Sequence, residues 1–180
     1  MKTDATRLIE IALAQFRAKG YKRASMADIA REAGLLKGSI YHHFPDKEHL
    51  LIGAVQYIAD IFEQEVFGPA RDPQRSEKAR FEAMINATLT YYLKHNACAF
   101  LQLWPDVMHE SEEARRIVED FYRSWQNAMA QLLTPGYGAA QAKRVAAVAI
   151  AKVQGGVVWL QITGDSRPLK DMAKELRAMI

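Results

Sequence analysis

Residues 25–47 read Ser-Met-Ala-Asp-Ile-Ala-Arg-Glu-Ala-Gly-Leu-Leu-Lys-Gly-Ser-Ile-Tyr-His-His-Phe-Pro-Asp-Lys. Ser25 is placed to cap a helix, its hydroxyl accepting from a free backbone N–H of the first turn. Asp28, three residues on, makes a capping box with a shorter acid than the usual Glu. Ile29, Ala30 and Ala33 then share one apolar face at helical spacing. Gly34 supplies the left-handed residue that closes the helix. A second short helix begins near Lys37. Ile40 and Phe44, four apart, form its inner face, while Lys37, Ser39, Tyr41, His42 and His43 turn largely outward. Pro45 stops it.

A short helix, a glycine turn and a second helix with an outward basic and aromatic set describe a helix-turn-helix. The second helix is the one expected in a DNA major groove. Gly38, without a side chain, lets its start approach base edges. Lys37, Ser39, Tyr41 and His42 are the candidates for base-proximal contacts, and Ser25, His43 and Lys47 for phosphates. The run Ala-Asp-Ile-Ala-Arg-Glu-Ala-Gly followed by Lys-Gly-Ser-Ile-Tyr-His-His-Phe-Pro-Asp-Lys-Glu closely resembles the N-terminal domain of TetR-family transcriptional regulators. Leu36 departs from that pattern. The family usually has Ser or Thr there, capping the second helix and often touching a phosphate. Leucine cannot cap, so the N–H groups of that helix need water, a phosphate or another partner.

Composition agrees with a soluble DNA reader. The net charge is +3 and charged residues make up 25% of the chain. The first 47 residues hold the whole basic excess, leaving a near-neutral remainder. A single cysteine, Cys98, excludes an internal disulfide and fits a reducing compartment. No secretory leader pattern is visible, and no uninterrupted apolar run approaches the ~18 residues of a membrane span. A cytoplasmic protein is expected.

Outside this stretch the periodicity is helical throughout, with no strand pattern or repeat, so the fold class is all-α with about nine helices. Asp4 or Thr3 can cap a first helix to about Lys19, with Leu8, Ile9, Ala12, Leu13 and Phe16 on its apolar face. A fourth helix, from Asp46 to about Phe67, leads out of the reading domain. The boundary falls near residue 47, giving a helix-turn-helix domain over 1–47 and a helical effector-binding and dimerisation domain over 48–180. Ser76 and Ser111 open further helices, and Pro105 ends or kinks a short one between them. Residues 134–138 read as a turn. From Ala139 to about Ile162 a helix is apolar nearly all round, with Gly155-Gly156 in its middle, and an amphipathic helix follows.

The resemblance implies that the last two helices pair with those of a second copy, with Val148, Lys152, Gly155, Gly156, Trp159, Leu169, Met172 and Leu176 as interface candidates. A homodimer would read an inverted-repeat operator in double-stranded DNA. Phe62, Met84, Thr88, Tyr91, Tyr92 and Phe100 are large adaptable side chains, as are Trp104, Met108, Phe121, Trp125 and Met129. Each singly suits a bundle core; as a set they suit a pocket for a small apolar or acyl-type effector. By resemblance such an effector would release a repressor from its operator. The alternatives are a DNA-binding regulator without an effector, a helical enzyme, or a metal-binding protein. No Ser, His or Asp stands in a recognisable nucleophile setting. His95, Cys98 and His109 match no standard zinc spacing, so neither metal nor cofactor is expected.

Overall fold

The computed structural model describes residues 4–36 and 38–180, the side chains of Asp4 and Met108 excepted. Among the described residues every regular element is helical. In order these are α1 (Asp4–Lys19), α2 (Met26–Glu32), a 3₁₀ turn (Ser39–His42) and α3 (Lys47–Phe62). A π-type turn (Glu63–Phe67) and α4 (Gly68–Ala70) continue α3. Then come α5 (Glu77–His95), α6 (Ala99–Glu110), α7 (Glu112–Tyr137), α8 (Ala139–Thr163) and α9 (Arg167–Arg177). Two compact units result. One comprises the residues through Asp60 together with Ala99–Glu119; the other comprises Ile61–Cys98 and Asp120–Ile180.

The caps are set by local sequence. Ser25 Oγ accepts from Asp28 N–H at 3.1 Å and donates to Asp28 Oδ2 at 2.8 Å. The acid therefore returns to the serine hydroxyl, a shorter loop than a Glu of a full capping box makes to the backbone. Gly34 is at φ +74, and Leu35 N–H and Gly34 N–H reach the Ala30 and Arg31 carbonyls. That is the six-to-one and five-to-two pairing of a Schellman end. Ser76 and Ser111 cap α5 and α7 through the N–H groups of Ala79 and Ala114. Asn96, at φ 52, closes α5.

Proline breaks less than the sequence suggests. Helix α6 runs on past Pro105 to Glu110, and α7 runs through Pro135 to Tyr137 rather than turning at 134. Each proline withholds one N–H, from the carbonyls of Leu101 and Gln131 respectively, and both of those residues are exposed to solvent. Thr134 Oγ1 also donates to the Ala130 carbonyl at 2.8 Å, and Gly138, at φ 71, makes the real stop. At the end of α3 the ladder slips by one residue, Gly68 N–H reaching the Glu63 carbonyl. A Cβ at Gly68 would lie 3.2 Å from that oxygen, so the slip suits glycine.

Helix α8 is apolar on two faces with different uses. Ala142, Ala146, Ile150, Val153, Val157 and Leu160 point inward. A Cβ on Gly156 would meet Leu169 at 3.2–3.4 Å, including its Cα, so the missing side chain lets α8 and α9 close together. A Cβ on Gly155 would meet nothing within 4 Å beyond its own helix backbone. By length and composition alone α8 also suits a membrane span, with a mean hydropathy of 1.6 over its best window.

Candidate nucleic-acid interface and effector core

In the first unit, α1, α2 and the 3₁₀ turn build the reading head around Leu8, Ala12, Phe16, Ile29 and Ile40, all buried. The second helix of the motif is shorter and tighter than its spacing predicts. Tyr41 and His43 N–H bond three residues back, to Gly38 and Ile40, so the element is a single 3₁₀ turn. Its N-cap is Gly38, which has no side chain to cap with, and four residues are too few to settle into an α-ladder. Ile40 anchors the turn. Around it Leu36 is 81% exposed and Tyr41 46% exposed, and Gly38, His42 and His43 face solvent with Ser39 half-buried. Lys37 lies outside the described residues.

Ser25 and Lys47 are engaged within the protein. The Lys47 ammonium donates to the carbonyls of Tyr21, Lys22 and Ala24 at 3.1, 3.4 and 3.3 Å, and sits 4.3 Å from the Tyr21 ring centroid. All three of its N–H donors therefore have carbonyl partners. The sequence assigns Lys47 to a phosphate; the structure makes it the brace of the loop between α1 and α2. Ser25 spends its hydroxyl proton on Asp28, whose carboxyl is held below the usual range by that bond first and by Arg31 next.

The same loop is held from α6. Tyr21 N–H donates to Asp106 Oδ2 at 2.9 Å, and Lys22 lies 3.5 Å from Glu110. Burial, with Glu110 and other acids nearby, pushes the Tyr21 phenol up to about 12. At the start of α3, Asp46 Oδ1 accepts from His49 N–H and lies 2.9 Å from its Nδ1. Asp46 raises the pKa of His49, and the His49 backbone N–H above all lowers that of Asp46. Gly53 of α3 faces Phe44, which would stand 2.9 Å from an added Cβ. An isolated glycine inside a helical pattern is the sequence signal that marks it. Asp106 and Glu110 carry no such signal.

In the second unit the effector candidates form a closed aromatic core. Phe62 packs on Tyr91 at 4.5 Å, on Phe121 at 4.9 Å and on Trp125 at 5.9 Å between ring centroids. Tyr92, Thr88, Met84 and Met129 are buried in the same unit. A void of about 20 Å³, room for roughly one water, lies between Thr88, Trp125, Met129, Val153, Leu169 and Met172. The same unit holds a partly buried polar thread. Gln154 Nε2 donates to the Tyr92 hydroxyl at 3.0 Å, and that hydroxyl and the Tyr122 hydroxyl each lie 3.9 Å from Cys98 Sγ. Trp125 Nε1 and Gln154 Oε1 are buried without a hydrogen-bond partner. Burial raises the pKa of both tyrosines, so both stay neutral. Phe100 and Trp104, expected in this set, lie on α6 in the first unit, Phe100 buried and Trp104 half-buried; the Met108 side chain lies outside the described part.

The interface candidates divide in two. Val148 (58% exposed), Trp159 (51%) and Ile162 (77%) line the outer face of α8 with Lys152, Gly155 and Val158. Leu169, Met172 and Leu176 do not join them; they are buried within the chain, where Gly156 admits Leu169 against α8. A groove of about 600 Å³ runs beside this face, lined by Arg144, Val148, Lys152, Glu175 and Met179 among others, with Lys152 3.6 Å from Glu175. Among the described residues no three His, Cys, Asp or Glu gather as a metal site.

A family model for bacterial regulatory proteins of the TetR family matches residues 8–54, and one for the C-terminal domain of LmrA/YxaF-like transcriptional regulators matches residues 79–175. The chain belongs to the TetR family. Among curated relatives, the helix-turn-helix-type transcriptional regulator YxaF of Bacillus subtilis is 24% identical over 97% of this chain and 93% of its own. The regulator LmrA of the same organism is 25% identical over 91% and 89%. A TetR transcriptional regulator from Legionella pneumophila, 22% identical, shares the fold with a TM-score of 0.85 over 100% of this chain and 98% of its own. The chain is thus a helix-turn-helix transcriptional regulator, and regulators of the TetR family bind DNA operators, form dimers and commonly act as ligand-responsive repressors.

Proposed function

We propose that this TetR-family regulator is a cytoplasmic, dimeric repressor that leaves an inverted-repeat operator when a small molecule binds its helical second domain. Residues 1–47 read DNA, and residues 48–180 take the effector and the second copy. The observation that carries the reading is the 3₁₀ turn. It presents Tyr41 and His42 outward beside a half-buried Ser39, with Leu36, Gly38 and His43 exposed at its flanks, on a head whose core is closed beneath Ile40. Four residues offer few base contacts, so one head alone would discriminate sequences poorly. The outer face of α8, where Val148, Val158, Trp159 and Ile162 are exposed, supports pairing with a second copy.

The effector reading rests on the aromatic core. Trp125 Nε1 and Gln154 Oε1 are buried donor and acceptor groups without partners among the described residues, and a void of about 20 Å³ lies against Trp125. A buried polar atom without a partner costs about 1–3 kcal/mol. An apolar or acyl-type ligand with one acceptor and one donor would satisfy them after the core opens. It shifts the equilibrium between DNA-binding and released states only by its difference in affinity for the two. No catalytic or cofactor role is proposed.

Selection of bound duplexes from a random pool by the purified protein tests this. Enrichment of two similar half-sites in inverted orientation is expected. Enrichment of a single unrepeated site would overturn the dimeric reading, and no enrichment would overturn sequence-specific binding.

A further inference from the structure

Three residues in the reading element depart from what folding alone would choose. Leu36 is 81% exposed, more than any other large apolar side chain described. Tyr41 is 46% exposed, and Gly38 sits between them. Gly38 has φ −70, which any residue adopts, and nothing lies within 4 Å of where its Cβ would stand. Neither backbone conformation nor internal packing asks for glycine there. Lone exposed leucines are common on proteins and need no explanation. Two exposed apolar side chains bracketing an unneeded glycine, within six residues of the one element a helix-turn-helix inserts into DNA, form a pattern that an outside surface explains.

The major groove limits what that surface offers an aliphatic side chain. Phosphates and most base edges are polar, and the thymine C5-methyl is the apolar group displayed there. Leu36 has no hydroxyl for a phosphate or for the backbone N–H groups that follow it. Its carbonyl already accepts from Ser39 N–H at 2.9 Å, fixing the backbone from which the side chain projects. Gly38, bare on the same segment, leaves room for a base edge beside the leucine. We infer that Leu36 is a specificity-determining residue that reads a thymine by packing on its C5-methyl group, once in each half-site. This rests on the proposed DNA reading and names one base preference within it.

The test uses the full-length protein and the operator selected from the random pool. Each thymine of a half-site is replaced in turn by deoxyuridine, which deletes the methyl and keeps every hydrogen-bonding group. Binding is measured for the wild type, Leu36→Ala and Tyr41→Phe. One position should show a weakening of about fourfold per methyl, the weight of one buried methylene. At that position the uracil penalty should vanish in Leu36→Ala and persist in Tyr41→Phe. An exposed side chain should leave folding intact on truncation, which a thermal melt of Leu36→Ala confirms. A uracil penalty that survives in Leu36→Ala, or no penalty at any position, overturns the assignment while leaving the DNA-binding reading in place. A protein that selects no operator fails earlier, at the proposed function, and takes this inference with it.

Discussion

Lys47→Met separates two roles that a lysine at this position can play. Methionine keeps the aliphatic stem over Tyr21 and removes the ammonium with its three carbonyl bonds. A hydrogen bond to a charged group is worth about 1.5–3 kcal/mol where it is buried. Lys47 is half-exposed and its bonds run from 3.1 to 3.4 Å, so screening by water reduces each of them well below that. The three together with the lost ring contact come to about 2 kcal/mol. In a chain of this size that lowers the melting temperature by about 4–8 °C. Operator affinity should then fall through a loosened head, with the slope of log K against log salt unchanged. Both quantities come from thermal melts and salt-titrated binding isotherms. An unaltered melt with a slope smaller by about one unit would mean that Lys47 neutralises a phosphate, and the bracing role would be refuted.

Other perturbations probe the rest of the fold. Gly156→Ala should destabilise the chain by about 1–2 kcal/mol in denaturant titrations, because the new Cβ meets Leu169 at 3.2–3.4 Å. Gly155→Ala, with open space around it, should not, and an equal loss at both positions would contradict the close approach of α8 and α9. Asp46→Asn keeps an oxygen to cap α3 but removes the charge beside His49, so the His49 titration followed by NMR should move down towards 6.5. Because His49 is raised in the folded state, its contribution to stability is complete below its ordinary value and lost as pH rises through the raised one. The stability gap between wild type and Asp46→Asn should therefore shrink across that window; a constant gap would assign the effect to the cap alone.

The reading head was legible because its determinants are local. Ser25, Asp28, Gly34 and Pro45 each act within a few residues, and the structure gives them the caps and stops that their chemistry implies. The two interior prolines misled because breaking a helix depends on whether the deprived carbonyl can find water, which sequence does not state. The partnership of α6 with the head was invisible, since Asp106 reaches Tyr21 across 85 positions and an acid on a helix reads as solvated. Lys47 shows the same limit at close range: a lysine beside a DNA-reading motif looks free until its three carbonyls are seen. In α8 the periodicity marked apolar faces without telling which one met its own chain. Leu169, Met172 and Leu176 of α9, interface candidates by resemblance, are buried within their own chain. Aromatic residues at helical spacing likewise marked burial, and only the packing revealed that Phe62, Tyr91, Phe121 and Trp125 close on one another.

The central claim is that two chains, joined through the outer face of α8, read one operator. Mass measurement of the complex formed at nanomolar concentration on the selected duplex tests it most directly, with wild type beside Trp159→Glu. Two chains per duplex are predicted for the wild type. For Trp159→Glu, whose side chain is half-exposed and whose fold should survive, monomers with strongly weakened binding are predicted. One wild-type chain per duplex at full affinity, or a Trp159→Glu protein that still binds as a pair, would contradict it.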